Sequence, residues 1–292
     1  MQLPVMKSEV LGYLDPKPNE DFIDCTVGEG GHAKAILEKN SPEGRVLGID
    51  CDPSIIENLK NMVKGTPYEQ RLIPVCGNYV NLSSIAKEYG FASVAGVLFD
   101  LGLSTWHIEE SGRGFSFYRN EPLDMRYSPE NPLTAEKILN FWQVREIERI
   151  LRVYGQERFA HKIAMEIAES RPLKTTLDLV MAIERATPRW YHRRRIHFAT
   201  KAFQALRIAV NKELENFERG LPQTLEVIKS CGRLVIISFH SLEDRIAKNF
   251  LKEKSREGLI KILTKKPLRP SHGEVAQNPR ARSARLRAAQ KL

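Results

Sequence analysis

No stretch of the sequence approaches the roughly twenty consecutive apolar residues that a bilayer-spanning helix needs, which argues against a membrane protein. Cysteine is scarce: the four present, Cys25, Cys51, Cys76 and Cys231, form no C-x-x-C pair and show no zinc-ligand spacing. Neither a metal site nor a disulfide framework is therefore expected, and reduced, buried thiols in the cytoplasm are the natural reading. The opening Met1-Gln-Leu-Pro-Val-Met-Lys lacks the basic-then-apolar layout of a secretory signal, and acidic residues from Asp15 to Asp21 soon interrupt any apolar run. There is also no internal repeat and no low-complexity segment, which excludes a repeat array or a long linker.

What is present is an ordinary globular composition, 42% hydrophobic and 28% charged, with an uneven distribution of charge. Residues 1–104 hold nine basic and fourteen acidic side chains. The last 42 residues hold twelve basic and three acidic, a surplus equal to the net charge of +9. A basic end of this kind is the footprint expected of a polyanionic partner. A solvated basic tail without a partner is the plainer alternative.

The first hundred residues alternate between strand and helix patterns. Apolar runs at 22–27, 45–50, 72–76 and 95–100 read as four strands, and Asp52-Pro53 reads as a helix N-cap followed by proline at the first helical position. Such alternation predicts a parallel sheet whose ligands sit at the carboxyl ends of its strands. Asp24, Asp50 and Asp100 fall at those ends. Residues 105–200 show helical periodicities instead, among them Ile147/Ile150/Leu151 and Phe159/Ile163/Ile167. A single long amphipathic helix is expected next, with Phe203, Leu206, Val210, Leu214 and Phe217 on one face, before a strand pattern returns at 233–239. The expected organisation is a discontinuous α/β domain, residues 1–104 and 201–292, with a helical domain inserted at 105–200.

The turn Asp24-Cys-Thr-Val-Gly-Glu-Gly-Gly-His-Ala contains Gly28-x-Gly30-x-x-Ala33, which formally fits a dinucleotide fingerprint. Its neighbours favour a different ligand. A pyrophosphate needs a helix N-terminus with little negative charge nearby, whereas Asp24, Glu29 and Asp52 are local here and suit a cationic sulfonium. Asp50 is placed to receive ribose hydroxyls, a role shared by NAD and S-adenosylmethionine sites. Asp52 reads better as a helix cap. Tyr79, after the third strand, can lie against an adenine ring or belong to the core. His107 alone reads as a surface histidine. Phe239-His240-Ser241-Leu-Glu-Asp244, which ends the returning strand, either borders the site or forms an ordinary capping box through Ser241 and Asp244.

The sequence resembles the bacterial small-subunit ribosomal RNA methyltransferase H family, which methylates N4 of a cytidine in the decoding region of 16S ribosomal RNA. The matching segments are Asp24-Cys-Thr-Val-Gly-Glu-Gly-Gly-His, Gly48-Ile-Asp-Cys-Asp-Pro, Leu98-Phe-Asp-Leu-Gly-Leu-Ser-Thr, Arg113-Gly-Phe-Ser-Phe and Pro122-Leu-Asp-Met-Arg. Tyr154-Gly-Gln-Glu-Arg-Phe-Ala, Phe203-Gln-Ala-Leu-Arg-Ile, Ile236-Ile-Ser-Phe-His-Ser-Leu-Glu-Asp-Arg and Asn278-Pro-Arg-Ala-Arg-Ser follow in the family's order. The resemblance implies a Rossmann-like S-adenosylmethionine-dependent methyltransferase sheet with an inserted all-helical domain. It implies cofactor contacts at Gly30, Gly31, His32, Asp50, Tyr79, Asp100 and His107, and no metal. Tyr79 stands where phenylalanine is frequent, His107 where glutamine is frequent, and Gln2-Leu-Pro-Val where His-x-Pro-Val is usual.

The implied partner is small-subunit ribosomal RNA within an assembling subunit. Arg113, Arg126, Arg193, Arg194, Arg195, Arg280, Arg282, Arg285 and Arg287 are the candidate RNA contacts. The (Asp/Asn/Ser)-Pro-Pro-aromatic motif of many base amino-methyltransferases is absent, since Asp100-Leu-Gly-Leu stands in its place. Asp100, with backbone carbonyls of Leu101–Ser104, is the candidate acceptor for the amine proton.

Overall fold

The computed structural model of the protein describes residues 4–292; Gln2 and Leu3 of the unusual opening lie outside them. After α1 (Lys7–Leu14) the chain alternates β1 (Phe22–Asp24), α2 (Gly31–Lys39), β2 (Val46–Asp50), α3 (Pro53–Val63), β3 (Leu72–Cys76), α4 (Leu82–Glu88) and β4 (Val94–Asp100). Local chemistry explains the boundaries. Asp52 Oδ1 accepts the Ser54 amide at 2.9 Å, and Pro53 opens α3, whose Ile55, Ile56, Leu59 and Val63 are all buried.

The chain then builds a second compact unit, Leu103–Glu213. It contains α5 (Thr105–Glu109), α6 (Ala135–Phe141), α7 (Val144–Val153), α8 (Ala160–Glu169), α9 (Thr176–Ala186), α10 (Arg189–His192) and α11 (Thr200–Asn211) around its own apolar core. The stretch 110–134 carries no helix. It is held by polar staples: Arg113 Nη1 donates to the Tyr127 carbonyl at 2.8 Å, and Asn131 Nδ2 to the Val210 carbonyl at 2.7 Å.

The expected single long helix is two. The Lys212 backbone turns left-handed (φ 51°), ending α11 and separating it from α12 (Glu213–Val227). Phe203, Leu206 and Val210 join the core of the second unit, whereas Phe217 joins the sheet core. The insertion thus runs to Glu213 rather than to 200, because α11 buries its apolar face among α6 and α7.

The first unit resumes at Leu214 with the rest of α12, then β5 (Ile228–Ser238), α13 (Ser241–Arg256), β6 (Ile260–Ile262), α14 (His272–Gln277) and β7 (Arg285–Lys291). Its seven strands take the order β3-β2-β1-β4-β5-β7-β6. Strands β1 to β5 are parallel, and β7 runs antiparallel between β5 and β6. Alternation along each strand splits the core in two: Phe22, Val46, Leu98, Val235 and Leu286 face one side, and Ile23, Leu47, Val97, Leu234 and Ala289 the other. The expected basic tail is therefore structural in part. Its last segment is an inner strand, with Leu286, Ala288 and Ala289 buried.

Candidate functional site

Strand order reverses between β1 and β4, and β1 is followed directly by the glycine turn. This is the switch point at which open α/β sheets leave a crevice beyond their carboxyl ends. Gly28 and Gly30 have φ of +49° and +79°, a region that L side chains rarely occupy. At Gly30 a Cβ would also lie 2.7 Å from Leu59 Cδ1, so a side chain there would have to push the end of that leucine aside as well. The turn is laced to its neighbours. Gly28 donates its amide to Asp50 Oδ2 at 3.2 Å, and the other oxygen of Asp50 accepts the Asp52 amide at 3.0 Å. Thr26 Oγ1 accepts the Asp100 amide at 2.7 Å, joining the turn to the end of β4.

Beneath this turn lies a buried charged cluster. Asp24 is 1% exposed and accepts the Thr26 amide at 3.1 Å. Burial pushes its carboxyl up to about 7, with the charges of Asp100 and Asp50 adding to the rise, while His32 and the Thr26 amide oppose it. His32, on the first turn of α2, sets Nε2 3.4 Å from Asp100 Oδ2. Burial pulls the His32 imidazole down, but the adjoining Asp100 carboxylate and the charge of Asp24 outweigh it and raise its pKa. His32 Nδ1 and Asp100 Oδ1 are buried without a hydrogen-bond partner among the described residues, and His32 Nε2 has only its 3.4 Å ion pair with Asp100. Buried polar atoms left in this way are costly, and a polar ligand would satisfy them.

Tyr79 opens the short 3-10 turn after β3, where Asn78 Oδ1 accepts the Val80 amide. Its half-buried ring packs edge-on against Phe99, with centroids 5.3 Å apart, and Phe99 in turn meets Phe217. The structure therefore gathers Gly30, Gly31, His32, Asp50, Asp100 and Tyr79 in the first unit. Asp52 serves as the cap of α3. Thr26 was not marked in the sequence; a hydroxyl two residues after a strand-end acid was the available signal.

His107 belongs to the second unit and is not a surface residue: it is 4% exposed. Its Nδ1 lies 2.8 Å from Ser104 Oγ, and its ring is packed by Trp106, Phe115 and Tyr127. The surface reading fails because residues 115–127 fold back over a short amphipathic turn.

The arginines divide sharply. Arg126 grips Asp124 with Nε at 2.7 Å and Nη2 at 2.8 Å and donates Nη1 to the carbonyls of Pro129 and Asn131. Arg113 binds the Arg126 and Tyr127 carbonyls and lies over Trp106. Both staple the 110–134 loop. Arg287 is 8% exposed and donates Nε to Asp244 Oδ1 at 2.7 Å, and Arg285 reaches the other oxygen of Asp244 at 3.2 Å. These four arginines are engaged within the fold; Arg287 is buried, while Arg113, Arg126 and Arg285 remain partly exposed. Asp244 is not the partner of Ser241 in a capping box; His240 and Glu243 cap α13. Arg193, Arg194, Arg195 and Arg282 are exposed, and Arg280 is half-buried.

A sheet of this order with one antiparallel strand, bearing a glycine turn and strand-end carboxylates at its switch point, defines a Rossmann-like S-adenosylmethionine-dependent methyltransferase. The chain belongs to the MraW methylase family, whose profile it matches over residues 1–292. It is 46% identical over 291 residues to the ribosomal RNA small subunit methyltransferase H of Thermotoga neapolitana, covering 99% of this chain and 95% of that protein. It is 44% identical to the protein of that name from Thermosipho melanesiensis, covering 99% and 97% of the two chains. The Thermomicrobium roseum protein of the same name is 42% identical over 307 residues, with 99% and 93% covered.

Proposed function

We propose that this protein methylates N4 of one cytidine in the decoding region of 16S ribosomal RNA, using S-adenosylmethionine, in the cytoplasm and on an assembling small subunit. The observation that carries the cofactor reading is the buried Asp24–His32–Asp100 cluster with its unpaired polar atoms under a glycine turn. The names of the relatives support the RNA substrate. No helix among the described residues is long and apolar enough to cross a membrane. An NAD enzyme is disfavoured because the acidic groups around the glycine turn suit a cation better than a diphosphate.

Gly30, Gly31 and His32 would form the cradle, Asp50 would receive the ribose hydroxyls and Tyr79 would offer its ring to adenine. Bound there, S-adenosylmethionine supplies a methyl group activated by its sulfonium. The cytidine N4 amine is a weak nucleophile because its lone pair is delocalised into the ring. The residues at the end of β4 must therefore hold the amine in line and accept its hydrogen bonds as nitrogen becomes tetrahedral. Asp100 is that acceptor: its Oδ1 is unpaired, and its other oxygen faces His32. The target base is splayed out of its stack to reach this edge.

Mass mapping of small-subunit RNA from cells lacking the gene tests this reading. Loss of a single N4-methylcytidine, restored by the purified protein, is the expected result. An unchanged methylation map would reject it, as would calorimetry showing tight NAD binding and none of S-adenosylhomocysteine.

A second expectation follows from Asp24. Because its pKa is raised, it gains negative charge only as pH climbs through about 7. A cation is then held better at high pH, whereas the uncharged thioether of S-adenosylhomocysteine gains less. The preference for S-adenosylmethionine over S-adenosylhomocysteine should grow roughly tenfold from acidic to alkaline pH, equivalent to one pKa unit of coupling. In Asp24→Asn the rise should shrink to what the titration of the neighbouring His32 contributes. Calorimetry of both ligands across pH measures it, and a pH-independent ratio in the unaltered protein would refute the coupling.

A further inference from the structure

We infer that the exposed aromatic and arginine surface around Trp190, in the second unit, is a stacking face for single-stranded RNA that sets substrate affinity rather than the rate of methyl transfer. The inference rests on the RNA substrate proposed above. It is carried by how α10 is anchored.

Tyr191 points inward. It is 3% exposed, and its hydroxyl donates to Glu157 Oε2 at 2.6 Å. Burial and the Glu157 carboxylate push its pKa up, so it remains a donor. The other oxygen of Glu157 accepts the Phe159 amide at 2.9 Å, so this buried acid is consumed within the fold. Trp190, the preceding residue, points outward and is 53% exposed. Its ring is braced edge-on by Phe159 and Tyr191, each 5.9 Å away between centroids. The Arg158 guanidinium carbon lies 5.8 Å from both the Phe159 and the Trp190 centroids, and that of Arg194 lies 5.3 Å from the Tyr191 centroid.

The surroundings are basic. Arg158, Arg189, Arg193, Arg194 and Arg195 are all exposed within this short stretch of surface. An indole held rigid at its edges loses little entropy when a base stacks on its face, and such stacking tolerates any base because each has a π-face. Arginines beside it neutralise phosphates and add an affinity that falls with salt. Charge complementarity thus selects a polyanion whose bases are unstacked.

The test uses the full chain, protein-free 16S ribosomal RNA and assembled small subunits. For Trp190→Ala the Kd for protein-free RNA and the KM for the methylated substrate should rise by roughly tenfold. Single-turnover methylation at saturating RNA and the Kd for S-adenosylhomocysteine should stay unchanged, and Trp190→Phe should restore most of the affinity. Arg193→Ala, Arg194→Ala and Arg195→Ala combined should lower the slope of log Kd against log salt by about 2. Unaltered Kd and KM in both variants, with the parent protein active, would overturn the inference alone. A loss seen with assembled subunits but not with protein-free RNA would also overturn it, by assigning the face to a ribosomal protein. If the parent protein neither binds nor methylates the RNA, the proposed function falls first.

Discussion

Asp100→Asn is expected to lower the single-turnover rate of methyl transfer by at least about a hundredfold, the lower bound for losing a positioned proton acceptor. Asparagine keeps the shape of the side chain, so the fold and the Thr26 hydroxyl bond to the residue 100 amide survive. What changes is the charge. The carboxylate that faces His32 at 3.4 Å becomes a neutral amide, and the acceptor at Oδ1 weakens. Because His32 then loses the neighbour that raises its pKa, the imidazole should return toward neutrality. The S-adenosylhomocysteine Kd should change by less than about tenfold, since Asp50 and the glycine turn remain. Rapid-quench methylation with calorimetry on the same preparation separates the two effects. A variant that methylates at the parent rate with cofactor bound removes Asp100 from the chemistry.

The largest stability effect is expected at Asp244→Leu. This carboxylate holds Arg287, which is 8% exposed on an inner strand, and Arg285 beside it. Burial pushes Asp244 up, but hydrogen bonding and charge from Arg287, then the charge and hydrogen bond of Arg285, outweigh burial and hold it below the usual carboxylate range. Removing one partner strands a buried guanidinium, which costs about 3–5 kcal/mol. The double variant Asp244→Leu with Arg287→Met should recover most of the loss, since a well-packed apolar pair can replace a buried ion pair. The sign with pH follows from the depressed pKa. The pair's contribution is fully present above the unfolded-state value near 4 and is lost as pH falls through the lower folded value. Urea denaturation at neutral and acidic pH measures both. A single variant as stable as the parent would show that the clamp does not hold β7.

Much of the site was legible because its determinants are local. Asp52-Pro53 caps a helix through atoms two residues apart. Gly28 and Gly30 mark a backbone of positive φ. Strand-end acids follow from period-two apolar runs, and parallel pairing of β1 with β2 and β4 carries Asp24, Asp50 and Asp100 to one edge. The partner of Arg285 and Arg287 was not legible, because a guanidinium looks alike in sequence whether it meets a phosphate or a carboxylate some forty residues away. Nothing in Arg285-Leu-Arg-Ala-Ala-Gln-Lys reads as an inner strand until β5 and β6 flank it and Asp244 neutralises its charge. The burial of His107 is hidden for a related reason: its cover comes from Phe115 and Tyr127, on a loop without periodicity.

By itself the sequence determined the alternating strands and helices, the glycine turn and the acids at the strand ends, all properties of neighbouring residues and backbone geometry. The tertiary structure decided which charges are spent inside. It broke the expected long helix at Lys212, gave Asp244 to two arginines, and buried His32 against Asp100 with atoms left to bind a ligand. The physical reason is that desolvation and pairing depend on what the rest of the chain brings within a few ångströms, and no local pattern encodes that.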